Sequence, residues 1–286
     1  MTTQGSAVQT AVVTGASTGI GEACALHLDG LGFQVFAGVR NQADGETLQR
    51  QASARLRPIF IDVTKADTIE LAARSVAAEV GTAGLSGLVN NAGIVVGGPL
   101  EFLPLAELRK QFEVNVIGQI AVTQAFLSLL RQGRGRVVNM SSLNGRIAMP
   151  FVGPYAASKF GLEALTDALR VELNPWGIEV ISIQPGAIAT PIWHKSVAHA
   201  EEVSRGFPAE AERLYGAPLD AVRRRTVQRE QNGLPPQEVA RVVARALIAK
   251  RPKTRYLVGR EVRVLAILVK FLPDRVRDWF IRQALR

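Results

Sequence analysis

The 286-residue sequence predicts an α/β fold: a doubly wound parallel sheet with helices on both faces. Three observations carry this. Short apolar runs alternate with stretches of helical period along the chain. A glycine-rich turn joins the first apolar run to the first helix. No shift in composition marks a domain boundary, so residues 1–286 read as a single domain.

Each element follows in order. Thr10–Thr14 (TAVVT) is a strand, glycines follow at 15, 19 and 21, a helix runs from about Ile20 to Gly30, and Gln34–Val39 is the second strand. This βαβ unit is Rossmann-type. Leu56–Ile61 is the next strand, and Ile69, Ala72, Ala73, Val76 and Val80 have helical spacing. Strands at Leu85–Asn90 and Arg136–Met140 flank one long helix, Ala106–Leu130; a helix at Tyr155–Leu173 and a strand at Ile178–Gln184 complete the alternation. The rhythm then breaks. Residues 190–233 are long, charged and strandless, so helices forming a substrate lid are expected there. Pro236 opens a further helix, Arg255–Val258 is a last short strand, and about 260–286 form an amphipathic C-terminal tail.

Composition narrows the function. With 47% hydrophobic residues the chain can bury a full core. The polar Met1–Gln9 start lacks an apolar secretion segment, and no run of 18 uncharged apolar residues occurs, so a cytoplasmic protein without a membrane span is expected. The single cysteine, Cys24, cannot form an internal disulfide and reads as a small buried residue. His27, His194 and His199 lack metal-site spacing, so no metal is expected. The net charge of +9 arises beyond residue 200, where 19 basic face 10 acidic side chains; residues 1–200 hold 15 of each. Scattered arginines on a solvated face are the expected source of that excess, an anionic membrane surface or an acidic protein are the weaker alternatives, and nucleic acid is not an expected partner.

The glycine turn Thr14–Gly21 supplies the first chemistry. Its glycines permit close backbone approach, and the helix that follows offers free N–H groups and a positive dipole end to a pyrophosphate. Gly15–Gly19 also matches the GxSxG of a hydrolase elbow, but the later histidines His27, His194 and His199 show no obvious acidic orienter in the sequence; Ser17 is expected to cap the helix or touch phosphate. Val39 is neutral where an acidic residue would bind both ribose hydroxyls of NAD, and Arg40 beside it can pair with a 2′-phosphate. NADP is therefore the expected cofactor and NAD the less favoured; a stack of Arg40 on adenine, or simple exposure, are the alternatives. Asp62-Val63 follow the third strand, where an adenine could lie. Asn91, Ala92 and Gly93 close the fourth strand and shape the crevice, unless the asparagines serve only to pin the turn.

Ser142, Tyr155 and Lys159 form the central constellation. Tyr155 and Lys159 are four apart, hence on one helical face, and a nearby ammonium favours the phenolate. Tyr155 can then give or take a proton, while Ser142 at a strand end holds a carbonyl oxygen.

On the Thr14–Gly21 turn, Asn90–Gly93, Asn115, Ser142, Tyr155-Ala156-Ala157-Ser158-Lys159 and Pro185-Gly186 with Thr190, the chain resembles the short-chain dehydrogenase/reductase family. The resemblance spans roughly residues 8 to 258. It implies a catalytic tetrad of Asn115, Ser142, Tyr155 and Lys159, with the side chain and carbonyl region of Asn115 holding a water against Lys159. It assigns Gly15, Ser17, Thr18, Gly19 and Ile20 to the diphosphate side, and Pro185, Gly186, Ile188 and Thr190 to the nicotinamide side. The tail and the FQVFAGVR segment (33–40) look more like the retinol and hydroxysteroid dehydrogenase subgroups, which implies a lipophilic alcohol or carbonyl substrate.

The expected function is thus an NADP-dependent oxidoreductase interconverting a ketone or aldehyde and the alcohol. The alternatives are a non-catalytic dinucleotide-binding sensor or scaffold, and a sugar-nucleotide epimerase or dehydratase, which needs a larger substrate domain. A homodimer or homotetramer is expected. In the tail, Val262–Leu272 is apolar but short and carries Arg263 and Lys270; Pro273 breaks it, and Val276, Trp279, Phe280 and Ala284 then share a face bordered by Arg275, Arg282 and Arg286. Such a face suits a dimer or lid contact, or peripheral contact with an anionic membrane.

Overall fold

The computed structural model describes residues 8–285. It contains a seven-stranded sheet, all parallel, in the order β3-β2-β1-β4-β5-β6-β7. The strands are β1 (Thr10–Val13), β2 (Gln34–Val39), β3 (Leu56–Phe60), β4 (Gly87–Asn90), β5 (Arg136–Met140), β6 (Glu179–Pro185) and β7 (Arg255–Val258). Helices cover both faces, as the alternation predicted. One core holds α1 (Gly19–Gly30) and α9 (Pro236–Ile248) against the sheet, with Leu28, Val35, Val89 and Val243 fully buried. The other holds α3 (Ala66–Val80) and α5 (Gly118–Gly133), with Val76, Leu88, Phe126 and Leu130 fully buried. A parallel sheet needs both coverings, because its strands are apolar on both sides.

The strand order reverses between β1 and β4. Open α/β sheets form their ligand crevice at such a switch point, outside the carboxyl ends of the strands. The glycine turn after β1 and the Asn91–Gly93 segment after β4 meet there.

Several elements depart from the expectation. The short helix α2 (Gln42–Gln49), capped by Asn41 accepting from the Asp44 N–H at 2.9 Å, carries no apolar stripe long enough to announce it. The long helix expected over 106–130 is three pieces: α4 (Leu105–Phe112), a π turn (Glu113–Ile117) and α5. In the π turn the Gly118 N–H donates to the Glu113 carbonyl, five residues back. This rod, Leu105–Gly133, is long and apolar enough to cross a membrane, but half of its most apolar window is buried inside the fold.

Residues 190–233 are helical, as expected: α7 (Ile192–Ser204) and α8 (Ala209–Asn232). Their neck is pinned. Ile188 and Leu234 form a parallel bridge in which the Leu234 N–H donates to Ala187 and the Ala189 N–H to Leu234, at 3.0 and 2.9 Å. The tail forms α10 (Arg260–Phe271) and α11 (Asp274–Leu285), separated at Pro273 as predicted. Val262 and Ala266 face inward and are buried; Val264, Ile267, Val276, Trp279 and Phe280 are exposed. The side chains of Lys270 and Ala284, and all of Arg286, fall outside the described residues, as does the stretch 1–7 of the N-terminal start.

Candidate active site

A cleft of about 720 Å³ opens at the carboxyl ends of the strands. Every candidate residue read from the sequence lines it: the turn residues Gly15, Ser17, Thr18, Gly19 and Ile20; Arg40; Asp62 and Val63; Asn91, Ala92 and Gly93; Asn115, Ser142, Tyr155 and Lys159; and Pro185, Gly186, Ile188 and Thr190.

The end of the cleft at the glycine turn is built from backbone. Gly15 and Gly19 have φ of +64° and +65°, a left-handed conformation that strains other residues. A side chain at Gly15 would also press on the Ala92 Cα at 2.8 Å. Thr18, not Ser17, is the N-cap of α1, and among the described residues no side-chain hydrogen bond caps the helix. The first N–H groups of α1 therefore have no side-chain partner and remain available to an anion. Asn91 explains why the turn holds its shape. Its Nδ2 donates to the carbonyls of Thr14 and Gly15 at 3.0 and 3.1 Å, while the Thr14 hydroxyl accepts from the N–H groups of Asn91 and Ala92. The side chain of Asn91 thus does structural work, the second of the two roles open to it.

At the other rim, Arg40 is exposed after buried Val39. Across from it, Asp62 accepts from the Thr64 N–H and hydroxyl at 3.0 and 2.7 Å. Burial pushes its carboxyl up, but these bonds and the charges of Lys65 and Arg40 more than offset that and hold it below the usual carboxylate range. The uncapped helix, the positive-φ glycines and a cleft of this size fit an extended dinucleotide.

The reacting end is assembled from β5, α6 (Gly153–Glu172) and the π turn. α6 sets Tyr155 and Lys159 on one face, with the Lys159 Nζ 5.7 Å from the Tyr155 ring centre. Lys159 is 4% exposed, and its ammonium donates to the Met140 carbonyl at 2.7 Å. Burial draws its pKa down to about 8, and the Glu163 charge acts against that. Tyr155 is held above its ordinary value by burial, while a hydrogen bond with Ser142 pulls the other way. At Tyr155 desolvation outweighs the Ser142 hydrogen bond, so the net shift runs away from the phenolate.

Asn115 corrects the expectation attached to it. Its side chain is already committed: Oδ1 accepts from the Ile94 N–H at 2.9 Å, and Nδ2 donates to the Ile94 carbonyl at 3.0 Å. It clamps the chain after β4, which leaves only the carbonyl region of the π turn for the expected water. π turns inside helices recur at functional sites, because they re-aim carbonyls that an α-helix would pair. Sequence reasoning also missed Gln111 and Ser158. Fully buried Gln111 accepts from the Val96 N–H at 2.7 Å and, like Asn115, donates to the Ser158 hydroxyl at 3.3 Å. Ser158 returns a bond to the Tyr155 carbonyl at 2.7 Å, so these amides lock the helix that carries Tyr155. Only the spacing of Gln111 and Asn115, one turn apart, hinted at this.

Two later segments also line the cleft. From α7 come Trp193, whose Nε1 donates to the Ile188 carbonyl at 2.6 Å, and His199, which pairs with Glu107 of α4 at 2.6 Å. From α10 come Val262 and Leu265, which brings the tail to the cleft. Beside the cleft lies a smaller apolar pocket of about 60 Å³ that shares Val95 and Ser196 with it and is walled by Phe151, Phe207, Leu219 and Val222. Cys24 lies elsewhere, buried, with its thiol pushed up to about 12 by burial; it is an inert core residue.

A parallel sheet with an uncapped helix end and an adjoining tyrosine–lysine pair defines the dinucleotide-dependent oxidoreductase class. The model of the family "short chain dehydrogenase" matches residues 9–201, and the chain belongs to that family. It is similar to retinol dehydrogenase 5 of Mus musculus, 38% identical over 274 residues covering 93% of this chain and 85% of that protein. It is 36% identical to the NADPH-dependent 3-dehydrocapnine reductase of Ornithobacterium rhinotracheale, over 94% of both chains. Among solved structures, a short chain dehydrogenase from Burkholderia cenocepacia J2315 in complex with NADP superposes with a TM-score of 0.72 at 26% identity, covering 94% of this chain and 95% of that one. The relation to the retinol- and hydroxysteroid-dehydrogenase-like branch agrees with the resemblance read from the motifs.

Proposed function

We propose that the cleft binds NADP(H) and that the enzyme interconverts a lipophilic ketone or aldehyde and its alcohol. One observation carries the reading: Ser142, Tyr155 and Lys159 open into the same cleft as the uncapped α1 N-terminus and Arg40. The N–H groups at Thr18–Ile20 hold the diphosphate, Arg40 pairs with the 2′-phosphate, and Asp62-Val63 border the adenine. Ile188 and Thr190 face the nicotinamide. When bound, the nicotinamide supplies or accepts the hydride.

The chain's own residues handle the oxygen and the proton. Ser142 holds the substrate oxygen. Tyr155 protonates it in reduction and takes its proton in oxidation. Desolvation keeps Tyr155 protonated when no substrate is present, which suits a general acid for reduction. Lys159 holds the cofactor's ribose and supports charge developing on Tyr155, and the Asn115 carbonyl region supplies the water of a proton relay. A lipophilic substrate is supported by the apolar side pocket and by the similarity to retinol dehydrogenase 5. The preference for NADP is supported by Arg40, by the "NADPH-dependent" relative and by the NADP complex.

The outward face of α10–α11, where Trp279, Phe280, Arg263, Arg275 and Arg282 are exposed, is read as a contact with a second copy or the lid, with peripheral contact with an anionic membrane as the other reading. The test of the activity is turnover. Purified protein should oxidise NADPH with long-chain and cyclic ketones or aldehydes. Tight NADPH binding without turnover across such a panel would instead favour the sensor or scaffold reading.

A further inference from the structure

α6 carries Tyr155, Lys159, Glu163 and Asp167 at successive four-residue steps, so the four side chains form one row. Only the first two reach the cleft. Glu163 lies one turn beyond Lys159, is 8% exposed and has no place in the reaction as described so far. A buried carboxylate is costly unless it is braced. Here the bracing comes from two strands: the Ser182 hydroxyl of β6 at 2.5 Å and the Arg255 Nε of β7 at 2.9 Å. Arg255 also binds Asp167 at 2.5 Å, and Asp167 takes Arg170 at 2.5 Å. The loop after Ser142 packs on the same stem, since a Cβ at Gly145 would stand 3.0 Å from the Glu163 Cγ and 3.2 Å from the Lys159 carbonyl.

Titratable and charged groups lie on three elements around Lys159. On α6 they are Tyr155, Glu163, Asp167 and Arg170, with Arg255 on β7. Arg146, in the loop after β5, is held on the Gln184 Oε1 of β6 at 2.7 Å. Neutral Ser141, Ser182 and Gln184 complete the surroundings. An ion cluster that only tied β7 to α6 would need no more than Arg255 and Asp167. Glu163 adds an anion between that cluster and the catalytic lysine, whose ammonium, among the described residues, donates only to the neutral Met140 carbonyl.

We propose that Glu163 is a positioning residue: its carboxylate, braced by Ser182 and Arg255, keeps the buried Lys159 a cation beside Tyr155. The inference rests on the role given to Lys159 above. Burial alone favours the neutral amine, and the Glu163 charge opposes it. The sign of the expected effect follows. Lys159 serves as a cation, so activity falls as pH rises through its pKa. Removing the Glu163 charge moves that fall to lower pH.

The experiment is the pH profile of kcat/KM for NADPH-dependent reduction by the full chain. In Glu163→Gln the alkaline limb should move down by about half a pH unit or more. Asp167→Asn should lower thermal stability and leave the limb in place. An unmoved limb in an active Glu163→Gln enzyme, or equal shifts in both variants, overturns the proposal. Where Glu163→Gln does not fold, Glu163→Met, which removes the same charge without burying an amide, should move the limb down in the same way, and an unmoved limb is the contrary result. Full activity in Lys159→Ala would overturn the reading of the site itself, a different failure from an unmoved limb.

Discussion

Arg40 is an exposed side chain just after β2, and in the proposed function it is the residue on which cofactor choice turns. Charge-assisted hydrogen bonds to phosphate contribute roughly 1.5–3 kcal/mol each. Arg40→Ala should therefore weaken NADPH binding roughly 10- to 100-fold and leave NADH nearly unchanged. Equal kcat/KM of the wild type with both cofactors would remove the basis for this. At this scale the sequence was informative about types and spacing. The glycine turn, Arg40, Ser142 and the Tyr155–Lys159 step could all be named, because each depends on local backbone form or on one helical face. It was silent on which groups a polar side chain meets. That Asn91 pins the turn, that Asn115 clamps Ile94, and that Gln111, Ser158 and Glu163 matter follows from contacts between segments 15 to 92 residues apart.

The elements show the same division. Strands and amphipathic helices were legible from period, and β2 and β5 have the bounds expected for them. The π turn was not, since one extra residue in a turn barely disturbs an apolar stripe. Nor was the neck at Ile188 and Leu234, a pairing of residues separated by two helices. The tail was readable as amphipathic but not as part of the cleft wall. α10 turns Val262 and Leu265 into the cleft, which predicts two effects of cutting the chain after Gly259. The KM for a lipophilic substrate should rise several-fold while kcat changes less, because the lost contacts are apolar and remote from the proton donor. With the face a contact between copies, the cut should also change oligomeric mass, and full-length protein should ignore anionic vesicles. If full-length protein instead co-sediments with anionic vesicles at low salt and releases at high salt, whereas the cut chain stays in solution, the face is a membrane contact.

At the scale of the whole molecule, the sheet order gathers residues from six strand ends into one crevice. Its β1/β4 switch point puts the glycine turn in one crevice with the α6 residues Tyr155 and Lys159. The order itself was implied only as far as alternating strands and helices imply a parallel sheet; which strands neighbour one another is decided by packing on both faces. The central claim is that this crevice carries out proton-coupled carbonyl reduction with Tyr155 as the acid. Its most direct test is Tyr155→Phe, which keeps the ring and its packing and removes only the hydroxyl. With NADPH and a ketone that the wild type turns over, the account predicts a fall in kcat of about 100-fold or more, with NADPH binding largely unchanged by fluorescence titration. Retention of even a tenth of wild-type kcat would contradict it.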